Sequence, residues 1–192
     1  MSVVIHEVAH GQMANILGDK TAKLAGRLTL NPLKHLDWLG SIAVPLLMII
    51  SGGPVFGWAK PVPYNPNNLR DQRLGRGLVS AAGPLSNIII AIIFSLAIRF
   101  GLPAGLLSPS LIHIFAIIVV INLFLALFNL LPIPPLDGSG ILFSILSRRT
   151  TSLERFLSRY QIFIVLFIIF FGAQYLIPAG DFFFRFLTGL SL

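Results

Sequence analysis

Residues 6 to 10 read His-Glu-Val-Ala-His, inside an apolar run that starts at Ser2. On a helix, positions i and i+4 share one face. Both imidazoles can therefore reach a single point, with the Glu7 carboxylate beside them. This is the H-E-x-x-H pattern, in which His6 and His10 bind zinc and Glu7 is the general base of a metal-assisted hydrolysis. A pattern this short also arises by chance. Chance is the poorer explanation in an apolar setting, because ionisable groups at membrane depth normally face the bundle interior and mark function.

Two histidines do not complete such a site. A catalytic zinc keeps three protein ligands and an open position. The chain has no cysteine, so the third ligand is another histidine or a carboxylate. Asp19 and Asp37 lie in a polar loop, Asp71 in a basic loop and Asp181 in the tail. Asp137 is placed differently, in "NLLPIPPLDGSG" directly after an apolar run. Pro132, Pro134 and Pro135 hold the chain extended there, and Gly138 and Gly140 let it turn. Irregular backbone at membrane depth is tolerated only where it is buried in protein or lines a wet cavity. A ligand loop dipping toward a metal fits that rule. An interfacial turn with a solvated aspartate is the competing reading.

The elements that must position these residues are apolar. Of 192 residues, 55% are hydrophobic and 11% charged, and the mean hydropathy is +0.86. A soluble domain of this size needs more polar surface. The apolar runs are continuous rather than alternating, which points to helices and away from a membrane barrel. The formal net charge of +7 does not argue for nucleic acid here, since Lys and Arg mark the cytoplasmic loops of membrane proteins. No internal repeat and no cleavable signal peptide is evident. Residues 1–192 read as one domain in a lipid bilayer.

Five apolar runs cover residues 2–17, 39–59, 78–98, 111–131 and 161–177, and the tail "DFFFRFLTGLSL" is expected in the interface. Between the first two runs, "GRLTLNPL" alternates weakly and suggests a short β-hairpin. The second run is interrupted by Pro45, Gly52, Gly53, Pro54 and Gly57. Its unbroken part would rise only about 15 Å, half of a hydrocarbon core of about 30 Å. Charge separates the two options for it. If this run spans, Lys60, Arg70, Arg73, Arg76, Arg148, Arg149, Arg155 and Arg159 face six basic residues across the bilayer. If it dips in and returns, Lys20, Lys23, Arg27 and Lys34 join those eight, leaving only Arg99 and Arg185 opposite. The second arrangement obeys the positive-inside bias far better. It also brings Asp137 to the histidines from the same side. The expected fold is an all-α polytopic membrane protein with four spanning helices and one re-entrant segment. Its N-terminus faces outward and its active site lies near the cytoplasmic side.

"HEVAH", then "AAGPLSN" on a later helix, then "FNLLPIPPLDG", together resemble the site-2 protease family of intramembrane zinc metalloproteases. The likeness covers nearly the whole chain. It is closest to the small type without a PDZ domain, which carries "GRLTLNPLKHLD" and "GWAKPVPYNP". The resemblance implies a multi-pass protein of a prokaryotic cell membrane that cleaves transmembrane helices of substrate proteins within the bilayer. It implies His6, His10 and Asp137 as zinc ligands, Glu7 as base, Asn129 near the scissile carbonyl and the stretch from Gly83 to Asn87 beside the substrate strand. For Asn87, hydrogen-bonded glue between helices is the alternative, and glue is the better reading for Asn122. Members of the small type carry roughly a dozen more apolar residues before the motif, enough to complete a span. The first helix is therefore expected to be truncated at its start. Two rivals of another class are a catalytically silent membrane scaffold and a zinc-binding transporter. Glu7 argues against both, since neither needs a base beside its ligands, and transporters tend to show paired repeats.

Overall fold

The structure is a computed structural model and describes residues 1–52, 57–146 and 151–190. The apolar runs become helices, and no strand occurs among the described residues. Helix α1 covers Ser2–Ile16 and ends before Gly18, whose φ of +114° suits a residue without a Cβ. Helix α2, Trp38–Ile50, starts with a π-helical stretch and continues as α-helix. Helix α3 is the long one, Gln72–Gly101, and the Asp71 carboxylate caps it by accepting from the N–H groups of Arg73 and Leu74 at 2.9 Å. Helix α4, Pro109–Asn129, begins with a proline just inside the Ser108 cap. Helix α5 is Asp137–Ile145, α6 is Thr151–Arg159 and α7 is Gln161–Phe167. A π-helical stretch, Ile168–Gly172, joins α7 to α8, Ala173–Thr188.

Two helices, α3 and α4, are long and apolar enough to cross a membrane. A third span exists if the segment from Ser152 to Gly172, bent by 66° after Arg159, is one crossing. The expectation of four spans is thus met only in part. The 15 residues of α1 rise about 22 Å, and α2 is shorter still. The chain leaves along α2 and comes back to where it began. Trp58 donates from its N–H to the Gly40 carbonyl at 3.0 Å, and its indole N–H donates to Asp37 at 2.7 Å. Gly53 to Phe56 lie outside the described residues.

The expected hairpin at residues 26–33 is absent. Its backbone is satisfied locally instead. The Thr29 hydroxyl accepts from Asn31 N–H, and the Asn31 side chain caps a single 3-10 turn, Pro32–His35, by accepting from Leu33 N–H. Arg27 is committed elsewhere, donating to the Lys60 carbonyl at 2.8 Å. Weak alternation cannot impose a ladder against such competitors.

Helix α3 is the hub and packs against α1, α4, α5 and α8. Small residues let α5 approach it closely. A Cβ on Gly77 would strike Ser144, and one on Gly140 would strike Ser80. Toward Gly101, Ala91, Ile98, Val119, Leu123 and Phe184 form an apolar core. Phe184, placed by sequence in an interfacial tail, is in fact 2% exposed and seated between α3 and α4. At the opposite end Asp19 ties the loop 60–70 to the end of α1. Its carboxylate accepts from Asn65 N–H at 2.6 Å, the Asn68 amide at 2.8 Å and the Thr21 hydroxyl. Burial opposes its charge, yet the bonds from Thr21, Asn68 and Asn65 prevail and hold it below the usual carboxylate range.

Candidate metal centre

The spacing in α1 does what helical geometry requires, and His6 and His10 turn toward α3. Both are buried. Their Nε2 atoms lie 3.0 Å apart. The Asp137 carboxylate, at the first turn of α5, brings its Oδ2 to 3.1 Å from His6 Nε2 and 3.3 Å from His10 Nε2. No other group of three metal-ligating side chains converges in this way among the described residues.

The outer nitrogens of both rings are engaged. His10 Nδ1 lies 2.7 Å from the Val79 carbonyl oxygen, which can only accept, so Nδ1 carries the proton. His6 Nδ1 lies 2.6 Å from Asn87 Oδ1 and donates likewise. Each Nε2 is then left with a bare lone pair. Asp137 Oδ2 is buried without a hydrogen-bond donor. Three electron-rich atoms facing one another are repulsive unless a cation lies among them. Tetrahedral zinc with ligand distances near 2.0–2.2 Å needs donors about 3.3 Å apart. The residues present fit that ion in type, protonation and spacing.

The three donors lie in the wall of a cavity of about 380 Å³. Glu7 and Asn129 line it as well. Glu7 accepts from Val62 N–H at 2.8 Å, and among the described residues nothing bonds its other oxygen. The Asn129 amide gives one hydrogen to the Leu125 carbonyl at 2.9 Å and keeps a second. His6, His10, Asp137, Glu7 and Asn129 are therefore brought together in the wall of one cavity.

Gly83 and Asn87, expected beside the substrate strand, have another setting. Neither lines the cavity. Both lie on the face of α3 that meets α1, Gly83 against the ring edges of the two histidines and Asn87 at His6 Nδ1. A Cβ on Gly83 would collide with both imidazoles, so only glycine lets the rings sit this close to α3. Asn87 is fully buried, and its oxygen and one amide hydrogen are engaged by His6 and by Asn122, 2.8 Å away. Helix α3 runs through Pro84 without a break.

Other wall residues escaped the sequence reading. Pro61, Val62 and Tyr64 form one side, with Arg76 and Ser80 on another. Arg76 pairs with Glu154 of α6 at 3.2 Å. The one available signal was the alternation of prolines in "KPVPYNP", which keeps that segment extended.

A family model described as "Peptidase family M50" matches residues 104–172. The protein named "Putative zinc metalloprotease YwhC", from Bacillus subtilis (strain 168), is 41% identical over an alignment of 187 residues that covers 93% of this chain and 81% of that protein. "Putative zinc metalloprotease Rip2" from Mycolicibacterium smegmatis is 36% identical over 143 residues, 74% of this chain and 53% of the relative. The chain thus matches most of the first relative and about half of the second. No solved structure matches it. With a match of this extent and a carboxylate closing on an H-E-x-x-H helix, the chain belongs to peptidase family M50, the site-2 protease family of zinc metalloproteases.

Proposed function

We propose that this chain is a zinc-dependent intramembrane endopeptidase that hydrolyses peptide bonds within transmembrane helices of substrate proteins. One observation carries the reading. His6, His10 and Asp137 converge within 3.0–3.3 Å in a cavity that also holds a carboxylate and an amide, between helices of membrane-crossing length.

His6, His10 and Asp137 hold the zinc. The bound ion supplies Lewis-acid polarisation of a carbonyl and lowers the pKa of water. Glu7 takes a proton from the attacking water and returns it to the leaving amine. The Val62 N–H fixes one oxygen of Glu7, so the carboxylate is oriented before substrate arrives. Asn129 directs its free amide hydrogen at the developing oxyanion.

The membrane arrangement follows from the same reading. Four crossings and one re-entrant segment place both flanks of α2 on one face. The return of Trp58 to Asp37 and Gly40 supports this. So does the pairing of Arg99 with the Phe186 carbonyl, next to Arg185, at the far end of α3. These are the two basic residues assigned to the outer face. The chain is then a multi-pass protein of a prokaryotic cell membrane with its site toward the cytoplasm. Exposed Leu46, Leu47, Ile49 and Ile50 on α2 suit contact with lipid.

The test is Glu7→Gln in purified protein with a model transmembrane substrate. Zinc content should match the wild type while cleavage disappears. Cleavage at the wild-type rate in that variant contradicts the assignment of the base.

A further inference from the structure

We propose that Asn122 and Asn87 form a relay that locks His6 in the tautomer able to bind metal. The relay rests on the metal-site reading above and adds two positioning residues to it. Its logic starts at a backbone oxygen. Asn122 Nδ2 lies 2.8 Å from the carbonyl of Ile118, one turn back on α4. A carbonyl only accepts, so this side of Asn122 is its NH₂ group. The Ser2 hydroxyl, 2.9 Å away on α1, is a second partner of the same nitrogen. The other side of Asn122 is thereby its oxygen, and it accepts from Asn87 Nδ2 at 2.8 Å.

Asn87 now has no freedom to flip. Its NH₂ is fixed toward Asn122, so its oxygen is fixed toward His6 at 2.6 Å. An oxygen there requires the proton of His6 on Nδ1, which frees Nε2 as a ligand. With Asn87 reversed, its NH₂ would face Nδ1, the proton would move to Nε2, and the ring could not bind zinc. Both asparagines are fully enclosed, so water offers no substitute partner. His10 needs no relay, because the Val79 carbonyl does the same task directly.

Zinc affinity, read on the full chain in detergent by competition with a chromophoric chelator, tests the relay. Asn87→Leu removes the acceptor and should weaken zinc binding about 10- to 100-fold. Asn122→Leu should weaken it about tenfold, although residue 122 touches no ligand. Asn87→Asp alone sets a second acceptor against Asn122 Oδ1, where the native amide donates at 2.8 Å, and that repulsion should cost about tenfold in zinc affinity even though the carboxylate accepts from Nδ1–H. Combining Asn87→Asp with Asn122→Leu should restore the affinity lost in Asn122→Leu, because a carboxylate presents an acceptor whichever way it turns. Interhelical glue alone predicts the reverse, with the double variant worse than either single one. Failure of the rescue, or an Asn122→Leu affinity equal to wild type, overturns the relay. A wild-type chain that takes up no zinc, or a His6→Leu chain that binds it as tightly as wild type, instead overturns the metal site itself. Thermal unfolding of each metal-free variant confirms that affinities are compared between folded proteins.

Discussion

Toward Gly101, α3 and α4 meet through Ala91, Ile98, Val119 and Leu123, with Phe184 of α8 filling the gap. Toward Gln72, the same helices meet through Asn87 and Asn122, with His6 of α1 completing the contact. The two halves obey different rules. Lipid tails are as apolar as leucine, so the outer half gains little from burial as such and is held by shape and dispersion. The inner half is held by hydrogen bonds whose direction matters. An apolar contact can be exchanged for another of similar volume. A bond in the inner half cannot be reversed without changing which atom of His6 carries a proton. The difference explains how one pair of helices can be a generic span at one end and a ligand scaffold at the other.

The contrast can be broken at its sharpest point with Gly83→Ala. Alanine is the better helix former by about 1 kcal/mol, so α3 itself gains. The new methyl meets both imidazoles, and the account predicts a loss of zinc affinity of at least about tenfold, a ligand-displacing effect of the size seen when metal-ligand support is removed. Zinc titration of that variant at wild-type affinity would show that the rings have room that the geometry denies them.

Phe184→Ala probes the outer half. In a soluble core such a truncation costs about 3–5 kcal/mol. Here lipid replaces water in the reference state, so only lost contacts and the cavity remain, and the expected cost is about 1–2 kcal/mol. Denaturation in detergent should show that loss with zinc content unchanged. A loss of zinc along with stability would mean that the halves are not independent.

The smallest effect is expected outside the bundle, at Asp19. Its folded pKa lies below its unfolded value. Its stabilisation is therefore complete above about pH 4 and is lost as pH falls through the folded value. Asp19→Asn should melt lower than wild type at pH 7, and the gap should close only below about pH 4. A gap that stays constant down to pH 3 would remove the charge of Asp19 from the account.

The inner half was partly legible in sequence for a physical reason. His6 and His10 are four residues apart on one helix, so their convergence is local geometry. Asp137 was recoverable because prolines and glycines at membrane depth need a purpose. The role of Asn87 was not, because its facing depends on how α3 is rotated against α1, a long-range fact. "AAGPLSN" points to function without saying whether it meets substrate or ligand. The weak alternation of "GRLTLNPL" misled, since Thr29 and Asn31 satisfy the backbone more cheaply than a second strand. The outer half was legible only as apolar length, because nothing in "DFFFRFLTGLSL" marks Phe184 as the residue that turns inward.

The central claim is that three side chains from α1 and α5 hold one ion. Metal analysis of the purified chain beside Asp137→Ala tests it most directly. About one zinc per wild-type chain, and little or none in the folded Asp137→Ala variant, is the result the account predicts. Equal zinc in both proteins would contradict it.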